Sequence, residues 1–185
     1  MQTALLVIDV QQSFTRRPYF SSEGVAGFLA HQNALIAGAA ERGLPIVRVF
    51  HVDAPDEAHN AFAKASGLIR PLEGLAPFNA ALTIEKSRHS ALAGTPLAIE
   101  LRQRGITRLI VSGIRTEQCC ETTTRHASDE GFEVDYVTDA TLTFDMQTPA
   151  GATLTAAQIR ERTETVLAGR FAAICSVEQA LQRAR

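Results

Sequence analysis

Apolar residues follow two rhythms along the chain, and the rhythms alternate. Thr3 to Val10 is an almost continuous apolar run with β-branched residues in it. Such a run predicts a strand buried on both faces, as in a parallel sheet. From Val25 to Arg42 the apolar positions recur as Val25, Phe28, Leu29, Leu35, Ile36, Ala39 and Ala40, one face of a helix that Gly43 stops. Pro45 to Val52 predicts a second strand and Leu82 to Glu85 a short third. Thr95-Pro96 then opens a helix through Arg104, with the threonine as cap and the proline at the first helical position. Strands are predicted again at Arg108 to Ser112, Phe132 to Thr138 and Arg170 to Cys175. The helices between and after them run from Thr116, read as the N-cap, to about Glu130, from Thr155 to Ala168, and from Val177 to Arg183. This alternation predicts an α/β fold with a mostly parallel sheet. No internal repeat, low-complexity segment or linker divides the chain, so residues 1–185 are read as a single domain.

Three segments lie outside the rhythm. Gln11 to Gly24 is polar and broken by Pro18, yet holds Phe14, Tyr19 and Phe20. Asp53 to Asn79 is too long for an ordinary connection, which makes it a candidate lid or binding loop. Asp139 to Leu154 is read as a third loop.

Composition narrows the class of partner. A net charge of -2 without a lysine/arginine run gives no electrostatic footprint for nucleic acid. No apolar run approaches a membrane span, and Asp9 interrupts the one N-terminal run that could serve a signal peptide. Three cysteines, two of them adjacent, make no disulfide framework; a reducing, cytoplasmic setting is expected.

In open α/β sheets, sites form beyond the carboxyl ends of the strands. Asp9 falls at the end of the first strand, Lys86 directly after the third, and Cys119 just past the fourth, near the start of a helix. A helix N-terminus favours an anion and lowers a cysteine pKa. A carboxylate within Leu-Leu-Val-Ile-Asp-Val needs partners or a function, because an unpaired buried charge costs several kcal/mol. An acid, a base and a nucleophile at neighbouring strand ends are the parts that covalent catalysis uses. Taken singly, each has an ordinary structural reading: a capping carboxylate, a surface lysine, a core thiol.

Four segments together resemble the isochorismatase-like cysteine hydrolases, which include nicotinamidases, N-carbamoylsarcosine amidase and isochorismatases. Leu5 to Phe14 resembles the opening strand, with Asp9, Gln11 and Phe14 on the family's Asp-x-Gln-x-x-Phe positions. Lys86 to Leu97 resembles the lysine segment, Gly105 to Ala127 the nucleophile segment, and Asp139-Ala140-Thr141 the turn after the fifth strand. The resemblance implies a three-layer α/β/α fold with a six-stranded, mostly parallel, Rossmann-like sheet. It implies Asp9 as general base, Lys86 as its electrostatic partner and Cys119 as the nucleophile attacking an amide-type carbonyl. Backbone N–H groups of Arg115 and Cys119 would form the oxyanion hole, after a cis Ile114–Arg115 bond, and Phe14 would line the pocket. A homodimer or homotetramer is also implied.

The chain departs from the family pattern in three places. Cys120 stands where valine is more usual and is expected to face the core, as is Cys175. Arg115 replaces a small residue; if its side chain faces substrate, an anionic group is expected there. The nicotinamidase Asp-x-His metal motif is not reproduced, since the order here is His51-Val52-Asp53 with Asp56 and His59 following, so no metal or other cofactor is expected. His31, His89 and His126 are read as ordinary helix or loop residues. Within the family a vinyl ether hydrolase is the alternative to an amidase, and a binding protein that has lost turnover is the alternative to an enzyme. No Gly-x-Gly-x-x-Gly follows the first strand, which argues against a dinucleotide-binding domain.

Overall fold

In a computed structural model, which describes residues 2–184, the first strand, β1 (Gln2–Ile8), lies inside the sheet. Its alternate residues divide between two cores. Ala4, Leu6 and Ile8 enter one apolar cluster, while Leu5 and Val7 enter the other. The continuous apolar run is thus explained by burial on both faces. The other strands of this sheet are β2 (Ile46–His51), β3 (Leu82–Lys86), β4 (Ile106–Ile114), β5 (Glu133–Leu142) and, after the short hairpin β6 (Met146–Gln147) and β7 (Thr153–Leu154), β8 (Ala173–Ile174). They order as β3-β2-β1-β4-β5-β8, and all five pairings are parallel, so the sheet is wholly and not mostly parallel.

Helix α1 (Val25–Glu41) packs Phe28, Leu35 and Ile36 onto the Leu5/Val7 face, where the last helix, α5 (Val177–Arg183), adds Ala180 and Leu181. The opposite face is covered by α2 (Leu97–Gln103), α3 (Glu121–Asp129) and α4 (Ala156–Leu167), through Leu97, Leu101, Ala127 and Leu167. Helices on both faces complete the three layers. Helix α4 starts at a capping box, Thr155 with Gln158, and α5 at another, Ser176 with Gln179. Among the described residues no helix is long and apolar enough to cross a membrane.

Several boundaries move. Helix α2 begins after Pro96, one residue later than expected, although the Thr95 hydroxyl still accepts a 3.3 Å bond from the Leu97 N–H. β5 runs on to Leu142, so Asp139-Ala140-Thr141 belongs to a strand and not to a turn or loop. The reason lies in its pairing: Val111 of β4 aligns with Tyr136, but Gly113 with Thr141, so β5 bulges away and then rejoins. The Gln11–Gly24 loop contains a 3-10 turn, Gln12–Arg16.

Strand order fixes the place of any site. The chain builds outward from β1 to β3, returns beside β1 with β4, and continues in the other direction. The crevice beyond the ends of β1 and β4 is therefore the topological switch point of the sheet.

Candidate active site

Asp9 follows the last residue of β1, and its N–H bonds the Val49 carbonyl at 2.9 Å. Its φ of 53° makes it the one non-glycine among the described residues with a left-handed backbone, a region that aspartate tolerates better than most. Lys86 is the last residue of β3 and aligns with His51, the last of β2. Cys119 lies past β4, beyond a cis Ile114–Arg115 peptide bond and within a wide turn, Thr116–Cys120. There the Cys120 N–H reaches back five residues to the Arg115 carbonyl at 3.2 Å, a π-helical closure.

That turn begins differently from the expected cap. Arg115 holds the N-cap position, and the Thr116 hydroxyl pairs with that of Thr141 at 2.8 Å. The Thr116 carbonyl accepts from the buried Tyr136 hydroxyl at 2.7 Å. The turn is thus fastened to β5 rather than capped by its own side chain. Gly113, immediately before it, is required by packing. A Cβ there would lie 1.9 Å from the Ile8 carbonyl oxygen, so only glycine lets β4 approach β1 this closely.

The three side chains singled out at strand ends meet. Lys86 Nζ donates to Asp9 Oδ2 at 2.6 Å and to Cys119 Sγ at 3.3 Å, and all three residues are buried. Asp9 Oδ1 has no hydrogen-bond partner among the described residues. Cys119 opens onto a cavity of about 350 Å³, whose other walls include Phe14, Tyr19, Phe62, Arg17, Arg88 and His89. Phe14 meets Phe62 edge to face at 5.0 Å, so one side of the cavity is aromatic.

Electrostatics reverse one expectation. Burial pushes the Cys119 thiol well up, the Asp9 carboxylate pushes it further, and Lys86 only partly compensates. The position near a helix start does not outweigh removal from water plus a neighbouring anion, so the resting form is the thiol. Burial acts to lower the Lys86 pKa, but the pull of Asp9, with the hydrogen bonds to Asp9 and Cys119, more than offsets it and holds it above the ordinary 10.5. Both directions keep Lys86 an ammonium, in its ion pair with Asp9, and Cys119 a thiol.

The Arg115 side chain does not line this cavity. Its guanidinium is buried against Glu117 at 2.9 Å and sits 4.6 Å over the Tyr19 ring. The Thr143 hydroxyl holds the other Glu117 oxygen at 2.6 Å. In this structure the side chain is engaged in an internal ion pair. Cys120 and Cys175 are buried in the cores as expected, and all three cysteines are free.

The residues weighed as metal ligands disperse. His59 is exposed and pairs with Glu57, and Asp56 accepts from the Ala65 N–H at 2.8 Å. His51 and Asp53 bond each other at 2.7 Å. A different set does converge: ligand atoms of Asp9, His51 and Cys119 lie within 4.8 Å of one another. All three already bond one cation, the Lys86 ammonium, since His51 Nδ1 lies 3.0 Å from Nζ.

His89 departs from the expected ordinary loop residue: it lines the cavity, with Nδ1 at 3.8 Å from Cys119 Sγ. His31 and His126 do remain on helices, bonded to the Gly27 carbonyl and to Ser90. His51 is a neighbour of Lys86 that the sequence pattern does not single out, although both close adjacent strands at the carboxyl edge. That shared edge was the available signal. Arg17, Arg88 and Phe62 come from loops, where no periodicity marks them.

Comparison with known proteins bears on the family and the fold. A family model described as Isochorismatase domain matches residues 3–179. The chain is 27% identical over 178 residues to the isochorismatase family protein YrdC of Bacillus subtilis, covering 95% of this chain and 92% of that one. It is 27% identical over 166 residues to the ureidoacrylate amidohydrolase RutB of Methylobacterium radiotolerans, covering 72% of this chain and 63% of the other. The crystal structure of an isochorismatase from Pseudomonas putida superposes with a TM-score of 0.82 at 28% identity, covering 96% and 89% of the two chains. With the family model spanning nearly the whole sequence and the fold shared, the chain belongs to the isochorismatase family of hydrolases.

Proposed function

We propose that the protein is a cysteine hydrolase that cleaves a small-molecule amide-type C–N bond through a thioester. One observation carries the reading: Asp9 and Cys119 converge on Lys86, at 2.6 and 3.3 Å, where Cys119 opens onto the cavity. In this reading the unpartnered Asp9 Oδ1 takes the thiol proton as Sγ attacks the carbonyl carbon. Lys86 keeps the emerging thiolate and the carboxylate from repelling each other. The oxyanion is received by the backbone N–H groups of Arg115 and Cys119, each worth about 3–4 kcal/mol in comparable sites. The C–N bond breaks, and the leaving nitrogen takes the proton from Asp9. Water then attacks the thioester with Asp9 again accepting its proton, the C–S bond breaks, and the thiolate recovers that proton.

The presence of a cysteine beside a base supports amide chemistry over vinyl ether hydrolysis, which needs no sulfur nucleophile. The similarity to an amidohydrolase points the same way. Release of ammonia or amine across a panel of small amides tests the reading. Turnover is expected to fall to background in Cys119→Ala, with the thermal midpoint of unfolding kept close to that of the parent. A Cys119→Ala protein that still hydrolyses the same amide would rule out the thioester.

A further inference from the structure

Lys86 has three N–H donors and three acceptors: Asp9 Oδ2 at 2.6 Å, His51 Nδ1 at 3.0 Å and Cys119 Sγ at 3.3 Å. An ammonium cannot accept a hydrogen bond, so the His51 nitrogen facing it must present its lone pair. The ring proton of neutral His51 then lies on Nε2, where the Asp53 carboxylate accepts it at 2.7 Å. The ring itself is held in place through its backbone. The buried Gln11 side chain accepts from the His51 N–H at 2.8 Å and donates to the His51 carbonyl at 3.0 Å.

We propose that His51, fixed in its Nε2–H tautomer by Asp53, is a positioning residue that anchors the Lys86 ammonium between Asp9 and Cys119. The proposal rests on the Asp9–Lys86–Cys119 reading above and adds to it a third acceptor from β2.

Charge explains why a neutral acceptor suits this place. With only the carboxylate and the sulfur as partners, the ammonium would be drawn onto Asp9, the full anion of the resting site. Once the thiol proton passes to Asp9, however, the anion is the sulfur, and the ammonium must already be beside it. A second carboxylate at position 51 would hold the lysine but neutralise it. An imidazole lone pair holds the lysine and leaves its charge available to the thiolate. Asp53 keeps that lone pair from being lost to the other tautomer, much as an outer partner orients a ligating histidine at a metal. Asp53 is about one-third exposed, so its own charge is screened by water and acts on the ammonium mainly through the ring.

The test needs no knowledge of the substrate. Iodoacetamide reports how readily Cys119 becomes a thiolate, and the rate constant at one fixed pH is compared between variants, with peptide mapping to assign the sulfur. In the parent, Cys119 is expected to react faster than Cys120 and Cys175 despite its raised pKa, because it alone of the three lines the cavity and has Asp9 beside it to take its proton. His51→Leu removes the acceptor and is expected to slow Cys119 by about 10- to 100-fold, the scale set by misplacing a reacting group by roughly 1 Å. His51→Asn, whose amide oxygen can stand where Nδ1 stood, is expected to recover most of that loss, and Asp53→Ala to fall between them. Thermal unfolding of each variant separates this pattern from loss of fold, and nitrogen-15 NMR of labelled histidine reads whether Nδ1 is unprotonated. Equal rates in His51→Leu and the parent, equal loss in the Leu and Asn variants of well-folded protein, or a protonated Nδ1 would each overturn the proposal. Failure of the underlying reading looks different: in the parent itself, Cys119 would react no faster than the other two cysteines.

Discussion

Two aspartates lie fully buried at opposite ends of the sheet, and each has a cysteine beside it. Asp9 follows β1 at the carboxyl edge with Cys119 as its neighbour, while Asp135 sits near the amino end of β5 with Cys175. Burial and residue type are the same; satisfaction is not. Both Asp135 oxygens accept from Arg108, at 3.2 and 3.1 Å, and one accepts from Arg183 at 2.9 Å as well. Asp9 has one lysine on one oxygen and, among the described residues, no hydrogen-bond partner on the other. A carboxylate that serves the fold has its lone pairs occupied, because an unsatisfied buried acceptor costs about 1–3 kcal/mol. A carboxylate that is to receive a proton keeps one free. The oxygen that lacks a hydrogen-bond partner among the described residues separates the two sites physically, and it lies at the strand end where the cavity opens.

Exchanging each aspartate for its amide puts that contrast under the greatest load. Asp9→Asn is expected to lower turnover of an amide substrate by about 10²- to 10⁴-fold, the usual contribution of a positioned general base. Asp135→Asn is expected to keep turnover per folded molecule and to lose about 1–3 kcal/mol of stability, because Arg108 and Arg183 lose a charged acceptor. Both are read from kcat together with urea unfolding of the same preparations. A folded Asp135→Asn protein that has lost its turnover would erase the distinction.

The part of this contrast that was legible in the sequence is the part set locally. The apolar run before Asp9 announced a doubly buried strand, so a charge at its end already demanded an explanation. Lys86 and Cys119 could be placed at strand ends by the same reading, and α4 and α5 by periodicity and turn chemistry. What could not be read depends on partners brought from elsewhere. The extent of β5 is decided by how it rejoins β4 after the bulge, which its own residues do not encode. The direction of Arg115 is decided jointly by Glu117, Tyr19 and Thr143, from three separate segments. His51 acquires its place from the β2–β3 register, which sets it opposite Lys86. The raised thiol pKa follows from depth and from Asp9, two terms invisible to a rule about helix termini.

The two cysteines yield the smallest effect. In the folded protein burial raises the Cys119 thiol, Asp9 raises it further and Lys86 lowers it in part; Cys175 is raised by burial and then by Asp135, with Arg183 and Arg108 opposing. A thiol titrates at about 9.0 once the chain unfolds. Below that pH both states are protonated and the shift contributes no slope. Above it the unfolded chain releases a proton that the folded chain retains, so stability falls as pH rises, by up to about 1.4 kcal/mol per pH unit for each thiol held in this way. Lys86 adds a loss of the same sign only beyond its ordinary 10.5, since its folded pKa is raised. The buried Tyr136 hydroxyl, raised well above its ordinary 10.0, adds another from there, so the interval from pH 9.0 to 10.0 isolates the thiols. Urea unfolding with reductant present is expected to show a negative slope there that becomes shallower in Cys119→Ala, with a smaller change in Cys175→Ala. Cys120, fully buried and also raised, keeps the slope from vanishing in either variant. If Cys119→Ala left the slope unchanged while Cys175→Ala flattened it, the Cys119 thiol would not be held up as the geometry requires, and the resting site would have to be written with a thiolate.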